Sequence, residues 1–303
     1  VRKNGVPLLW GMIWVFLLMA SFTPFVIVAF PFMMIPAIVL YGERGRNTFA
    51  IVTLAVAAVA GLFVSAFGPF VVMLTWAILG FFAVPSAVMG RGYHQKKSAR
   101  SVITGGVLAL IAMQLVLFVL LFSAYPNLTS DFRQYLKDSM DTMPAFITVE
   151  LGDAYIDRSV DMMIQMIPFY MLALAGFYTL ISHAFARRIL DSRGHAVPGL
   201  PPLHTWRLPR SWVWYYLIVL LIGMFWNMES DSFLTAVYHN LYPLLLLVFS
   251  VQAISFLRFM TKERKWNRAI PILGIVVGLL MPQVLSLLGV MDTAFPLRDR
   301  MKK

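Results

Sequence analysis

None of the 303 residues is cysteine, which excludes disulfides, thiolate metal sites and cysteine nucleophiles and leaves the redox compartment undetermined. Acidic side chains are scarce: 14 Asp and Glu stand against 25 Lys and Arg, a net charge of +11. Charges are also missing from the apolar runs, since every one of them can be placed in a loop or at a segment end. Proton relays, voltage sensors and many ion-coupled transporters need an Asp, Glu, Lys or Arg within the bilayer, and here none can be nominated. An intramembrane hydrolase wants Ser/His, paired Asp or HExxH at facing depths. His94, His183, His195, His204 and His239 make no such pattern with acidic partners. The sequence thus predicts no enzyme, no catalytic residue, no cofactor and no metal site.

What is present is apolar. Hydrophobic residues make up 60% of the chain and charged ones 13%, with a mean hydropathy of +0.77, far from the makeup of a soluble domain. A bilayer accepts such a chain, asking about 20 residues per span. Nine segments qualify: 7–22, 24–41, 47–66, 69–89, 102–124, 163–185, 211–228, 233–258 and 269–290. Each is expected to be a helix, because a lone helix satisfies its own backbone in lipid, and barrel strands would alternate polar and apolar residues. The expected fold is all-α, a polytopic transmembrane helical bundle with eight or nine spans, a single integral membrane domain over 1–303. Arg2 and Lys3 before an apolar run resemble a signal peptide, but "LLMASFT" offers only a weak cleavage pattern and further spans follow at once. An uncleaved first helix is expected.

The cations sort by loop. Arg2 and Lys3 are followed by Arg44 and Arg46, then by Arg91, Lys96, Lys97 and Arg100. Arg187, Arg188, Arg193, Arg207 and Arg210 come next, then Arg258, Lys262, Arg264, Lys265 and Arg268. All five groups share one face if every intervening segment crosses, and cytoplasmic loops collect such residues. The N-terminus and these loops are therefore predicted to be cytoplasmic, in a bacterial inner membrane. "GRGYHQKKSAR" is then a cytoplasmic loop rather than a P-loop, which needs a preceding strand and GxxxxGK[ST]. No nucleic acid is expected as partner, since the net charge reads as positive-inside bias and attraction to anionic headgroups. One end breaks the rule: Arg298, Arg300, Lys302 and Lys303 fall outside if the last segment crosses. Either this tail is a tolerated exception or the run around Pro282 is re-entrant.

Among the neutral polar residues of the spans, Gln114 and Gln252 read as interhelical hydrogen-bonding groups, with Gln165 and Ser286 also present. The outer stretch 125–162 holds seven acidic residues against three basic. Phe132, Tyr135, Leu136 and Met140 recur there at helical spacing, predicting an amphipathic helix behind Ser130 as N-cap. A second outer feature, "FWNMESDSFLTAVYHNLYP", carries Asn227, Glu229 and Asp231 on the turn, with His239 and Asn240 about two turns into the next helix. Gln283 reaches a similar depth if the last segment crosses. These six residues could line a ligand cavity open to the outside if the last three segments pack as neighbours. The other reading of the region is an interfacial belt of Trp226, Tyr238 and Tyr242 with solvated neighbours.

"GYHQKKSARSVITGG", "LPRSWVWYY" and "GVMDTAFPLRDR" together resemble the YybS-like family of uncharacterised bacterial membrane proteins, over essentially the whole chain. That family is distantly similar to the substrate-capture (S) components of energy-coupling factor transporters. In those, a small helical bundle binds a vitamin near its outer face, and a separate ATPase module with a scaffold helix protein drives uptake. This chain departs from them in having more than six apparent spans, a long outer insertion and no matching vitamin-binding motif. The resemblance implies solute capture, with a small-molecule ligand and ATPase and scaffold subunits as partners. The alternative is a non-transporting membrane scaffold or regulator whose basic loops recruit a cytoplasmic or envelope partner.

Overall fold

A computed structural model describes residues 5–141, 153–226, 232–267, 269–295 and 297–301. Among them every regular element is helical, as the apolar segments require. The chain divides into two compact units: residues 1–128 with 171–200, and 129–170 with 201–303.

Unit 1 contains α1 (Val6–Ala20), α2 (Val26–Phe32), α3 (Met34–Val64), α4 (Pro69–His94), α5 (Ala99–Ala124) and most of α8 (Ile167–Ser192). The run Val26–Phe67 covers 42 residues, roughly 63 Å of helix and about twice a bilayer core. Gly45 breaks it into two runs, each of a length that can cross a bilayer: φ of +77° with ψ of −172° is open to glycine and strained for any residue with a Cβ. The expected loop between segments 24–41 and 47–66 is thus a single-residue break. Trp14, Met34, Ile38, Phe82, Met89, Leu110 and Leu190 are buried between the helices. Outward-facing side chains such as Ile27 and Leu62, 82% and 75% exposed, form an apolar surface suited to lipid. At one end of the unit, Arg193 pairs with Glu43 at 3.1 Å and lies over the Trp10 ring, and His94 meets the Gly42 carbonyl. The loops at Gly42–Arg46 and at His94 and the end of α8 at Arg193 therefore meet at one end of this unit.

Unit 2 holds α6 (Leu128–Asp141), α7 (Asp153–Gln165), α9 (Ser211–Phe225), α10 (Phe233–Glu263), α11 (Ala269–Leu280), α12 (Pro282–Ala294) and α13 (Leu297–Met301). In the acidic insertion, α6 begins at Leu128, so Ser130 falls within the first turn and not at the N-cap position expected for it. Arg133 and Lys137, four residues apart on α6, face Asp153, Asp157 and Asp161 on α7, with Lys137 Nζ 3.0 Å from Asp157. That alternation zips the two helices together.

The expected last segment is broken at Met281, immediately before Pro282, into two helices of 12 and 13 residues. On α12, Leu285 packs with Ala253 and Leu257 of α10. Gly289 lies against the Phe249 carbonyl so closely that no Cβ would fit. After Phe295 the chain turns back, and Leu297 joins Phe256, Phe259 and Met260. The C-terminal cation Arg298 thus lies beside His204, with the basic residues of 203–210. Among the described residues, five helical runs are long and apolar enough to cross a membrane, by length and composition, and three shorter apolar helices accompany them. The molecule is a multi-pass helical membrane bundle.

Candidate functional site

α10 carries polar chemistry at both ends. At its start, Ser232 caps the helix by accepting from the Thr235 amide at 3.3 Å. Two turns on, Asn240 faces the junction of α7 and α8. Pro168 has no N–H to give, so the helix breaks there, after Gln165. In an unbroken helix the Phe169 amide would donate to the Gln165 carbonyl. Here the Asn240 carboxamide stands between them: Nδ2 donates to Gln165 O at 2.6 Å, and Oδ1 accepts from Phe169 N at 2.9 Å. Nδ2 also reaches Ala236 O at 2.8 Å. His239 Nδ1 lies 2.9 Å from Gln165 Oε1. One amide side chain thereby satisfies two backbone groups that would otherwise be left open in an apolar setting.

Of the six expected ligand-binding residues, then, His239 and Asn240 come together, but around Gln165 and Phe169. Gln283 is exposed at the start of α12, where its neighbour Leu285 packs with Ala253 and Leu257. Those residues are 13 and 17 positions beyond Asn240 on α10, about 20 to 25 Å along the axis at 1.5 Å per residue. Gln283 is therefore not beside Asn240, because the break at Met281 changes the course of the last segment. Asn227, Glu229 and Asp231 lie outside the described residues.

The opposite end of α10 is basic. Arg258 and Lys262, one turn apart on α10, and Lys265, two residues beyond its end, line an open cleft of about 800 Å³. Its other wall is the short 3-10 turn Leu203–Thr205, and Trp266 and Pro271 complete it. Lys262 Nζ donates to His204 Nε2 at 3.0 Å. No carboxylate pairs with Arg258, Lys262 or Lys265 among the described residues. Lys265 holds a φ of +54°, a left-handed conformation uncommon for a side chain of its size.

The turn that walls the cleft is fixed from behind. Ser255 Oγ lies 2.7 Å from Leu203 O and 2.9 Å from Trp206 O, within hydrogen-bonding distance of both. Arg298 donates to His204 O at 3.0 Å and to Asp292 through both Nε and Nη2, the shortest contact being 2.6 Å. The two charged side chains are 3% and 1% exposed. Phe256 and Phe259 rings flank the guanidinium, and Gln252 joins the Leu208 amide to Asp292. A buried charge pair is tolerated when its remaining donors and acceptors are satisfied, and here they are. Gln252 thus serves the interhelical bonding expected of it, whereas the buried Gln114 Oε1 has no hydrogen-bond partner among the described residues.

The Asp292–Arg298 pair and the cleft both escaped the sequence reading. "GVMDTAFPLRDR" contains both charges, but their other partners lie about 40 to 95 residues away. The i, i+4 spacing of Arg258 and Lys262, with Lys265 close behind, was the available signal, merged into the general excess of loop cations. His183, which makes no pattern with acidic residues in sequence, meets the Tyr93 hydroxyl at 2.6 Å in the buried end of unit 1.

The family described as "Predicted membrane protein (DUF2232)" matches residues 12–293. The uncharacterized protein YybS of Bacillus subtilis (strain 168) is 19% identical over 231 residues, which cover 73% of this chain and 74% of that protein. No solved structure matches.

Proposed function

The chain belongs to the DUF2232 family of predicted membrane proteins, and from that premise we propose that it is a non-transporting scaffold or regulator of the bacterial cytoplasmic membrane. Its basic end faces the cytoplasm and holds a partner of acidic character. The observation that carries this reading is the contrast between the polar groups early in α10 and the loop between α4 and α5. His239 and Asn240 are spent on Gln165 and Phe169. In the loop, Lys96, Lys97 and Arg100 are exposed, and no carboxylate pairs with them among the described residues. The positive-inside rule supports a cytoplasmic place for such a loop. Arg298 lies beside His204, near Arg207 and Arg210 in the chain, which supports the same side for that end of α13.

Solute capture, as in the S components of energy-coupling factor transporters, drew its sequence support from the outer cluster. Asn240 is the member of that cluster best placed for a ligand, and its carboxamide is already bonded at both ends. Co-purification from native membranes, with proteins and small molecules identified by mass spectrometry, separates the two readings. The scaffold reading expects an acidic partner that is retained by the natural chain and lost when Lys96, Lys97 and Arg100 are replaced together by glutamine. Recovery of ATPase subunits with a bound solute, unaffected by those replacements and lost in Asn240→Ala, would contradict it.

A further inference from the structure

We propose that the cleft at the basic end of α10 is a binding site for a phosphate-bearing anion, held by Arg258, Lys262 and Lys265 against the 203–205 turn. This goes beyond the recruitment of a protein partner and does not depend on it. Three observations converge. First, Arg258 and Lys262 on α10 and Lys265 just beyond its end line a single cleft, whose volume of about 800 Å³ falls in the range of small-molecule sites. With no carboxylate opposite them among the described residues, their mutual repulsion is relieved when an anion enters. Second, the cleft is built in advance. Ser255 and the buried Asp292–Arg298 pair fix the Leu203–Thr205 wall, so little ordering cost remains for the ligand. The left-handed backbone at Lys265 is a local strain of the kind that positions a functional side chain.

Third, the lining suits a phosphate more than a carboxylate-rich peptide. The planar fork of Arg258 matches two oxygens of one phosphate, and the two ammonium groups serve as point charges. Lys262 already donates to His204 Nε2, which holds its ammonium toward the 203–205 wall. Leu203, Trp266 and Pro271 supply an apolar margin beside the cations, suited to the carbon skeleton of a phosphate ester. Basic pockets beside transmembrane helices on the cytoplasmic side take lipid headgroups in this way. The shared chemistry is a phosphate mono- or diester, and its source is either an anionic phospholipid or a soluble ester.

Native mass spectrometry of the full chain, released from nanodiscs of phosphatidylcholine with and without phosphatidylglycerol, distinguishes these sources. The natural chain should retain about one phosphatidylglycerol. Replacing Arg258, Lys262 and Lys265 together by glutamine should lower its affinity about a hundredfold, at roughly fivefold per charge. The same loss of charge at Lys96, Lys97 and Arg100 should leave retention unchanged. That control also separates this proposal from partner recruitment, which the loop variant is expected to abolish. If glycerol 3-phosphate binds lipid-free protein and phosphatidylglycerol is not retained, the site stands with a soluble ester as its ligand. Loss of phosphatidylglycerol equally from both triple variants, or binding of neither probe by the natural chain, overturns the site and leaves only diffuse attraction to a charged surface.

Discussion

Replacing Arg298 with methionine removes one half of a charge pair whose side chains are 3% and 1% exposed. Among the described residues Asp292 then keeps only the Gln252 amide, and the His204 carbonyl loses the Arg298 donor. Breaking a buried pair from one side costs about 3–5 kcal/mol, because the remaining carboxylate is left without compensation. Methionine preserves most of the packing against Phe256 and Phe259, so the loss reports mainly the stranded charge. The double variant Asp292→Asn with Arg298→Met removes both charges and should recover all but about 1–2 kcal/mol of that loss. Denaturant unfolding in mixed micelles measures both. Hydrogen exchange of residues 203–208 provides a local readout, expected to rise in the single variant, whose brace on that turn is gone. The reasoning is refuted if Arg298→Met lies within about 1 kcal/mol of the natural chain, or if the double variant is as unstable as the single one.

Three further expectations follow from individual contacts. Asn240→Ala should cost about 1–3 kcal/mol, because the Gln165 carbonyl and Phe169 amide lose their partner; the loss should be the same with or without added solutes, as unfolding in their presence would show. Gly289→Ala places a methyl group against the Phe249 carbonyl and should destabilise α12 against α10 by at least about 1–3 kcal/mol in the same assay. In the α6–α7 zipper, the hydrogen bond from Lys137, with Arg133 nearby, holds the Asp157 carboxyl below its ordinary range. Its contribution is therefore present above about pH 4 and is lost as pH falls through the lowered folded value. Lys137→Gln should move the acid loosening of α6 from α7, followed by hydrogen exchange, to higher pH.

The all-helical bundle was legible because long apolar runs between charged loops admit few other readings in a bilayer. Gly45 illustrates what remained hidden: composition marked a polar interruption at residues 42–46, but only backbone geometry shows that one glycine makes the turn. Ser130 is a good capping residue in isolation, yet α6 starts two residues earlier, at Leu128. For the outer cluster, counting residues from each segment end put Gln283 level with Asn240. That count assumed an unbroken last helix, and the helix breaks before Pro282. Pro168 was a readable sign of a second break, but nothing local said that Asn240, 72 positions on, would fill it. The Arg298 brace was illegible for the same reason: its acceptors come from the 203–205 turn, α10 and α12, which only tertiary packing joins.

That the cation-rich end faces the cytoplasm, with the C-terminal tail on that side, is tested most directly by single-cysteine labelling, for which the natural absence of cysteine leaves no background. Cysteines placed singly at Lys96, Lys265, Asp299 and Asp138 should sort with an impermeant maleimide on intact cells. Labelling of position 138 alone, with positions 96, 265 and 299 reacting only after the membrane is opened, is the predicted result. Labelling of 96 or 265 from outside would contradict the orientation of the basic end, and labelling of 299 from outside would contradict the placement of the tail.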